Sequence, residues 1–339
     1  MRLTLRIITL PLRHVFRTAH AAATSQQSLL VELAEGDYCG YGEGAAPSYA
    51  GVTADMMRDD LENLRGSIES ASFETPESLW NTFQPLLTKN PFALAALDEA
   101  AHDLWGKRRG QPVYRLWGLA LDRLPLSNYT IGIDRLDTMI GKMQEYHDWP
   151  IYKIKLGTAD DIQIVRELRQ HSRAVFRVDA NCGWSADQTI AYSGPLRELG
   201  VEFIEQPLPA DDWSGMQRVF RESALPVIAD ESCQTEQDVE RCHGCFHGIN
   251  IKLAKCGGMT PARRMIARSR ELGLQVMMGC MTESTVGISA IGQFLPLLDY
   301  VDMDGAELLA DDIASGVRLI RGRAAFPPEN GNGVRLLTP

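Results

Sequence analysis

Residues 174–181 read AVFRVDAN and residues 201–207 read VEFIEQP. Each segment is a short apolar run with β-branched and aromatic residues, and each ends in a carboxylate, Asp179 in the first and Glu205 in the second. Runs of this kind are typical of buried strands. The two carboxylates stand 26 residues apart, which is enough for one strand, one helix and the return. The pair predicts a βα unit with an acidic side chain at each strand end.

The same unit recurs along the second part of the chain. Comparable runs begin near residues 126, 151, 225, 248, 274 and 300, and segments with helical spacing lie between them. The polar residues that end seven of the eight runs are Lys155, Asp179, Glu205, Asp230, Lys252, Cys280 and Asp302, at steps of 22 to 28 residues. Seven to eight βα units predict a modified TIM-type (β/α) barrel, a fold whose chemistry lies at the C-terminal strand ends.

A doubly wound open sheet is the structural alternative to the barrel. Such a sheet would not normally end nearly every strand in an ionisable residue, and no Gly-rich dinucleotide fingerprint follows the first strand. Residues 1–120 differ, because alternating strand patterns are followed by amphipathic helical patterns. We expect an α+β capping domain over 1–120, the barrel over 121–314, and a tail, 315–339, that returns to the first domain.

Composition limits the classes of partner. The chain has 339 residues and a net charge of −10, which argues against nucleic acid or anionic membranes as partners. No apolar run approaches the length of a membrane span, and the first 16 residues lack the apolar block of a signal peptide, so a cytoplasmic location is expected. Seven irregularly spaced cysteines do not suggest a disulfide framework, and a homo-oligomer remains open.

Three consecutive strands of the predicted barrel end in carboxylates, Asp179, Glu205 and Asp230. Brought together on a barrel rim, they would repel each other strongly. A divalent cation would remove the repulsion, and three oxygen ligands suit Mg²⁺. Zinc fits less well, because no histidine or cysteine joins the set in register. The alternative is that each carboxylate pairs with a neighbouring lysine for structural reasons alone.

Lysines flank the three carboxylates in chain order. Lys155 precedes them and Lys252 follows, so a bound carboxylate substrate would have one lysine on each face of its α-carbon. That placement suits removal of an α-proton by one base and its return by the other, with the metal stabilising the enolate between the steps. Lys153 lies on the same strand face as Lys155, either beside the substrate or as the partner of a carboxylate. Lys255 is a nearby alternative to Lys252.

Five motifs in this order resemble the strand ends of the enolase superfamily, in its muconate lactonizing subgroup. They are YKIKLG, RVDANCGW, FIEQPL, IADES and INIKLAKCGG. The resemblance implies Mg²⁺ binding by Asp179, Glu205 and Asp230, and acid/base roles for Lys155 and Lys252. It also implies that Asn181 and Glu231 orient the ligands or lysines. The motifs do not decide the reaction, because the subgroup includes racemases, cycloisomerases and dehydratases.

The segment YVDMDG, 300–305, limits the class of substrate. Asp302 and Asp304 leave the same face of the eighth strand and are not needed for the metal, so they could hold a substrate ammonium. This D-x-D resembles the dipeptide epimerases of the subgroup, related to L-Ala-D/L-Glu epimerase. The resemblance implies inversion at the α-carbon of the second residue of an L-Ala-L-Xaa dipeptide. The alternative is that Asp302 caps the following turn and Asp304 faces solvent.

Further substrate contacts are expected from loops. GCMTESTVG at the seventh strand end also resembles these epimerases and would place Thr282, Glu283 and Ser284 near the substrate backbone. In the capping domain, 16–27 and 46–53 are expected to select the side chain. Arg17 and His20 could pair with an acidic second residue, but 21–25 is AAATS, so small or apolar side chains fit equally well. Arg17 could instead form a structural ion pair.

Two other functions remain in view. The first is N-succinylamino-acid racemase, o-succinylbenzoate synthase or muconate cycloisomerase chemistry, whose succinylated substrates would have no use for the D-x-D pair. The second is a non-catalytic barrel that binds a metal or a small molecule, which would not need two opposed lysines.

Overall fold

The N-terminal part of the chain forms an antiparallel sheet. A computed structural model describes residues 1–17, 22–45 and 50–337. Strands β1 (Arg2–Arg17), β2 (Ala22–Glu35) and β3 (Tyr38–Gly44) are hydrogen-bonded in that order. The inner face of β2 carries Leu29, Val31 and Leu33, which are fully buried. Side chains two apart share one face of a strand, so this alternation fixes the side of the sheet that the helices cover.

Five helices follow this sheet and complete the cap. They are α1 (Ala54–Asn63), α2 (Arg65–Ser70), α3 (Pro76–Phe83), α4 (Pro91–Arg109) and α5 (Val113–Leu116). Asn90 caps the start of α4 by accepting a bond from the Ala93 N–H at 3.1 Å, and Gly110 ends it in the left-handed conformation. Helix α4 packs so closely on β3 that a Cβ atom added at Gly42 would lie 2.1 Å from the Ala96 carbonyl oxygen. Glycine in β3 therefore permits the closest contact of sheet and helix.

The rest of the chain forms a parallel eight-stranded sheet whose strands follow one another in sequence order. The strands are β4 (Tyr129–Ile131), β5 (Ile151–Lys155), β6 (Val175–Asp179), β7 (Val201–Glu205), β8 (Val227–Ala229), β9 (Gly248–Ile251), β10 (Gln275–Gly279) and β11 (Tyr300–Asp302). A parallel bridge between Ser127 and Val301 joins the first strand to the last and closes the barrel. The predicted fold class, a TIM-type barrel with an α+β cap, is confirmed.

Helices alternate with the strands and cover the barrel. They are α6 (Leu136–Glu145), α7 (Asp161–His171), α8 (Ala186–Glu198), α9 (Trp213–Glu222), α10 (Asp238–Cys242), α11 (Leu253–Cys256), α12 (Met259–Glu271) and α13 (Thr285–Gly292). Short 3₁₀ turns span Leu295–Leu297 and Gly305–Leu308. The main core lies between strands and helices. Over the described residues, no helix is both long enough and apolar enough to cross a membrane.

The interior of the barrel is apolar and aromatic at one level and charged at the next. Phe203, Ile228 and Met277 form a small buried cluster. The Arg177 guanidinium lies 5.2 Å from the Phe203 ring and donates to the Val301 carbonyl oxygen at 3.0 Å. Two residues further along β7, on the same face, lies Glu205. The apolar level thus forms a floor beneath the charged strand ends.

The tail adds four short strands, β12 (Ala314–Ser315), β13 (Arg318–Ile320), β14 (Arg323–Ala325) and β15 (Arg335–Leu336). Val334 packs in a cluster with Leu30 of β2, and the Asn332 N–H donates to Asp103 of α4 at 2.7 Å. The tail therefore contacts the capping elements. The domain limits at residues 120 and 314 remain a prediction.

Candidate active site

The strand ends bring Asp179, Glu205 and Asp230 into the barrel mouth. Asp179 pairs in register with Lys155 of β5 on one side and with Glu205 of β7 on the other. Lys155, Asp179 and Glu205 therefore lie at one level of the barrel. Asp230 follows β8 directly. All three carboxylates are at most 1% exposed. The arrangement follows from the periodicity of parallel strands, whose C-terminal ends meet at one rim of the barrel.

Lys153 lies at the centre of these carboxylates. Its Nζ is 2.9 Å from Glu205 Oε1, 2.8 Å from Asp302 Oδ2 and 3.2 Å from Asp179 Oδ2. The side chain is 1% exposed. Burial opposes the charged form, but Asp302, Glu205 and Asp179 together raise the pKa of Lys153 well above its usual value. In this structure Lys153 is a fixed buried cation, and its contact with a substrate remains a prediction.

The outer lysines lie on either side of Glu205. Lys155 Nζ is 2.6 Å from Asp179 Oδ2, and Lys252 Nζ is 2.9 Å from Asp230 Oδ2. Because β5 and β9 are each two strands away from β7, the two lysines enter the mouth from opposite sides. Lys255 lies in α11 and reaches Asp230 Oδ1 at 2.9 Å. The distance to Asp230 therefore does not decide whether Lys252 or Lys255 is the second base.

Acidic groups outnumber the lysines in the mouth. Four lysines, Lys153, Lys155, Lys252 and Lys255, face six carboxyl groups, Asp179, Glu205, Asp230, Glu231, Asp302 and Asp304. Burial raises the pKa of Glu205 to about 7, with Asp179 and Asp230 adding to the rise and Lys153 opposing it. Carboxyl groups exceed lysines by two, and the raised pKa values of Glu205, Glu231 and Asp304 reflect the cost of ionising all six in one site.

The environment of two carboxylate oxygens indicates whether a cation fits this set of donors. Among the described residues, Glu205 Oε2 and Asp230 Oδ2 are buried and accept no hydrogen bond of good geometry, although an ammonium lies within 3 Å of each. Buried carboxylate oxygens are normally satisfied, and hard oxygen donors of this kind suit Mg²⁺. The donor set therefore fits the predicted metal.

Two amide side chains that were not predicted from the sequence support the carboxylates. The Asn250 Nδ2 group donates to Glu205 Oε1 at 2.9 Å. Gln206 Oε1 accepts from the N–H groups of Asp230 and Ser232, both at 3.0 Å, and so joins the ends of β7 and β8. Only their positions in the sequence could have pointed to these two amides. Gln206 directly follows Glu205, and Asn250 lies two residues before Lys252 on the same strand face.

The backbone is strained where β6 and β7 end. Asn181, Cys182 and Gln206 adopt positive φ angles of 43°, 65° and 33°. Strain of this kind collects at functional sites. The Asn181 N–H donates to Asp179 Oδ1 at 2.9 Å, and Glu231 is a half-buried residue whose carboxyl pKa is raised by desolvation and by Asp230. The contact of Asn181 is made by its backbone N–H, and the roles of Asn181 and Glu231 in orienting the ligands remain predictions.

Asp302 and Asp304 both point into the barrel. Asp302 Oδ1 accepts from Asn128 Nδ2 at 2.7 Å, and its Oδ2 accepts from Lys153. Asp304 accepts from the Thr130 N–H at 2.5 Å and from the Thr130 hydroxyl at 3.2 Å. Burial and the Asp302 charge raise the pKa of Asp304 well above its usual value. Asp304 is buried, so the alternative in which it faces solvent is wrong.

Cys280 lies beside this pair. One potential ligand atom from each of Cys280, Asp302 and Asp304 lies within 4.8 Å of the other two. The pair could therefore hold a cation as well as an ammonium, and only a binding measurement separates the two.

The loop after β10 joins the barrel to the cap. Ser284 caps α13 by accepting from the Val286 N–H at 3.2 Å, and it donates through its own N–H to Glu43 Oε2 at 3.0 Å. Glu283 is buried, and burial together with Glu43 raises the pKa of Glu283 to about 8. Thr282 is half-buried. The contacts of Thr282, Glu283 and Ser284 with a substrate remain predictions.

Arg17 lies at the edge of the mouth. Its guanidinium pairs with Asp134 at 3.1 Å, just after the end of β4. This is the ion pair expected under the structural alternative, and a contact with substrate remains a prediction. His20 lies outside the described residues.

A closed (β/α) barrel with carboxylates and lysines on consecutive strand ends, beneath an α+β cap, is the architecture of the enolase superfamily. Two family models match the chain: "Mandelate racemase / muconate lactonizing enzyme, N-terminal domain" over residues 3–118, and "Enolase C-terminal domain-like" over residues 138–338. The chain belongs to the mandelate racemase/muconate lactonizing enzyme family of this superfamily.

Several characterised relatives are similar over their whole length. An L-Ala-D/L-amino acid epimerase from Flavobacterium johnsoniae is 52% identical over 337 residues, covering 99% of this chain and 100% of that protein. A protein of the same name from Maribacter sp. is 54% identical and covers 99% of both chains. The crystal structure of a dipeptide epimerase from Methylococcus capsulatus, complexed with Mg and the dipeptide L-Arg-D-Lys, is 31% identical and superimposes with a TM-score of 0.90 over 98% of each chain.

Proposed function

We propose that this protein is a Mg²⁺-dependent dipeptide epimerase that inverts the α-carbon of the C-terminal residue of an L-Ala-L-Xaa dipeptide. Two relatives that share more than half of its residues carry the name L-Ala-D/L-amino acid epimerase. The observation that carries the proposal is the placement of Lys155 and Lys252 on opposite sides of three buried carboxylates, at the mouth that also contains Asp302 and Asp304.

Asp179, Glu205 and Asp230 would hold the metal, supported by Asn250, Gln206 and Asn181. When bound, Mg²⁺ supplies Lewis-acid stabilisation of the negative charge that develops on the substrate carboxylate. Asp179 now pairs with Lys155 and Asp230 with Lys252, and these contacts would orient the two lysines toward the mouth. Each lysine would then be available to the substrate.

The two lysines would exchange the α-proton. One lysine, in its neutral form, removes the proton from one face of the α-carbon, and the other, as an ammonium, returns a proton to the opposite face. The stereochemistry inverts because the two groups lie on opposite sides. Lys153 stays protonated and buried, and so maintains the positive charge near the carboxylates while its neighbours change state.

The D-x-D pair would select for a free amino terminus. Asp302 and Asp304 offer carboxyl oxygens to a substrate ammonium, which carries three donors. Residues 282–284 would contact the peptide backbone, and residues 16–27 and 46–53 would select the second side chain. The neutral segment 21–25 leaves small, apolar and acidic side chains all compatible. The cytoplasmic location is proposed with this function.

The test is α-proton exchange in D₂O. L-Ala-L-Xaa dipeptides with small, apolar and acidic second residues are incubated with the enzyme and Mg²⁺, and deuterium at each α-carbon is followed by NMR. We expect exchange at the second residue only, loss of exchange in EDTA, and no exchange in the matched N-succinyl amino acids. Exchange of the N-succinyl compounds alone would establish the succinylamino-acid alternative, and no exchange from any dipeptide would exclude epimerisation.

A further inference from the structure

One side chain of the capping domain holds the loop that enters α13. Glu43 lies on β3 and is fully buried. Its Oε2 accepts from the Ser284 N–H at 3.0 Å and from the Ser284 hydroxyl. Because β3 belongs to the cap and Ser284 to the barrel, this contact joins the two parts at the loop that follows β10.

The direction of these hydrogen bonds favours a carboxylate at this position. Ser284 supplies two donors, and it stands at the N-terminus of α13, where the helix dipole favours negative charge. An ionised carboxylate only accepts, so Glu43 matches both donors. A glutamine amide oxygen in the place of Oε2 could accept from both donors, but it carries no charge, and its NH₂ group would take the place of Oε1, which lies 3.3 Å from the Ser284 nitrogen.

The surroundings of Glu43 make this contact its principal stabilisation. In the described part of the chain, its carboxylate forms no ion pair with a lysine, arginine or histidine, and the groups that act on it are Ser284, Ser28 and Asp312. The nearby acidic groups are Glu99, which accepts from the Glu43 N–H at 3.1 Å, Glu283 and Asp312. Burial raises the pKa of Glu43 and the bonds from Ser284 lower it. A buried acid among acids, with no basic partner, is costly unless its hydrogen bonds are complete.

We propose that Glu43 is a positioning residue that fixes residues 281–284 over the barrel mouth from the capping domain. Glu43 would act from the cap through the barrel's own loop after β10, and not through direct contact with the substrate. The expected effect of Glu43 on KM rests on the proposed function, whereas its expected effect on the order of residues 281–284 does not.

The first variant is Glu43→Gln, and its matched control is Asp103→Asn. Asp103 is equally buried in the cap and accepts from the Tyr41 N–H of β3 at 2.9 Å, but its other partners, Lys107 and Asn332, lie outside the loop 281–284. Both variants replace a buried carboxylate by its amide. A loss of stability is therefore common to both, and an effect on the loop is specific to Glu43.

The structural readout is hydrogen–deuterium exchange of a peptide containing residues 281–288, measured on the full-length enzyme with Mg²⁺. We expect faster exchange in Glu43→Gln, because the Ser284 N–H loses part of its acceptor, and unchanged exchange in Asp103→Asn. Equal protection in the wild type and Glu43→Gln would overturn the proposal. Faster exchange of the same size in both variants would also overturn it, because the effect would then be general loosening of the cap.

The catalytic readout separates binding from chemistry. With L-Ala-L-Ala as the probe, we expect Glu43→Gln to raise KM at least about tenfold, the loss of one charge-assisted hydrogen bond, with kcat changed much less. Asp103→Asn should leave KM within about twofold, as substitutions remote from a site do. An unchanged KM in Glu43→Gln would contradict the proposal.

Glu43→Asp and the exchange readout keep the possible outcomes distinct. If Glu43→Gln does not fold, Glu43→Asp retains the charge and shortens the reach by one methylene, and it is judged by the same exchange readout. If the wild type epimerises no dipeptide, the proposed function fails, while protection of residues 281–288 still decides the role of Glu43.

Discussion

At the scale of single residues, charge balance is the main feature of this site. Four lysines and six carboxyl groups share one buried mouth, and each lysine contacts at least one carboxylate within 3 Å. Paired groups at these distances are mutually stabilising, but the acidic excess is costly when buried. A bound divalent cation would offset that excess. Under the proposed function, the residues that form these ion pairs would also be the ones that hold the metal and move the proton.

The D-x-D pair yields the first residue-scale prediction. Asp302→Asn combined with Asp304→Asn should raise the KM for L-Ala-L-Ala at least about tenfold, because the substrate ammonium loses the charged acceptor Asp302 and the carboxyl group of Asp304. Affinity for Mn²⁺, followed by its EPR signal, should change by less than about threefold if the pair does not bind the metal. A parallel loss of metal and dipeptide affinity would assign the pair, with Cys280, to a cation instead.

The buried carboxyl of Glu283 yields a prediction about pH. Its pKa is raised from 4.5 to about 8, so the folded protein keeps a proton that the unfolded chain releases within that range. The free energy of unfolding should therefore fall as pH rises through this window, by up to about 1.4 kcal/mol per pH unit, and level off above it. Burial raises the pKa of Glu43 and of Glu99 as well, in the same direction.

Glu283→Gln tests this directly. Urea unfolding at pH 6, 7 and 8 should show a shallower loss of stability in the variant than in the wild type, because glutamine has no proton to release. A parallel dependence on pH in the two proteins would contradict the assignment to Glu283.

At the scale of elements, the capping sheet depends on glycine at its contact with α4. A Cβ at Gly42 would meet the Ala96 carbonyl oxygen at 2.1 Å and the Ala100 nitrogen at 2.7 Å, which are backbone atoms of a long helix. Backbone cannot move aside as a flexible side chain can. The short spacing of glycines in YCGYGEG, residues 38–44, is thus explained by packing.

Gly42→Ala should destabilise the protein by about 3 kcal/mol, as overpacking against backbone does. Gly66→Ala is the matched control, since Gly66 lies in α2 with nothing within 4 Å of its Cβ position. That change should be neutral or stabilise by up to about 1 kcal/mol, the helix propensity difference. Chemical unfolding of both variants measures the effect, and equal stabilities would refute the packing argument.

At the scale of the whole molecule, the repeat of strand ends was sufficient to predict the barrel. Each βα unit is local, and the rule that parallel strands meet at one rim converts spacing into proximity. Lys155, Asp179 and Glu205 were therefore brought together correctly from their positions alone. The same reasoning could not find Asn250 or Gln206, because an amide within a strand or just after it has many possible uses.

Contacts between distant segments were also beyond sequence reasoning. Glu43 and Ser284 are 241 residues apart, and Asn128 and Asp302 are 174 apart. Nothing in local periodicity relates such pairs, since they depend on how the cap is placed on the barrel and how the barrel closes. The choice between Lys252 and Lys255 is a further example, because both reach Asp230 at the same distance.

The central claim is that Lys155 and Lys252 work from opposite faces of one α-carbon. Its most direct test is α-proton exchange in D₂O, in the presence of Mg²⁺, with L-Ala-L-Ala and L-Ala-D-Ala offered separately to Lys155→Ala, Lys252→Ala and the control Lys255→Ala. Each of the first two variants should lose epimerisation entirely and retain exchange with at most one diastereomer, a different one in each case. Lys255→Ala should retain both exchange and epimerisation. Epimerisation by either of the first two variants, or its loss only in Lys255→Ala, would contradict the account.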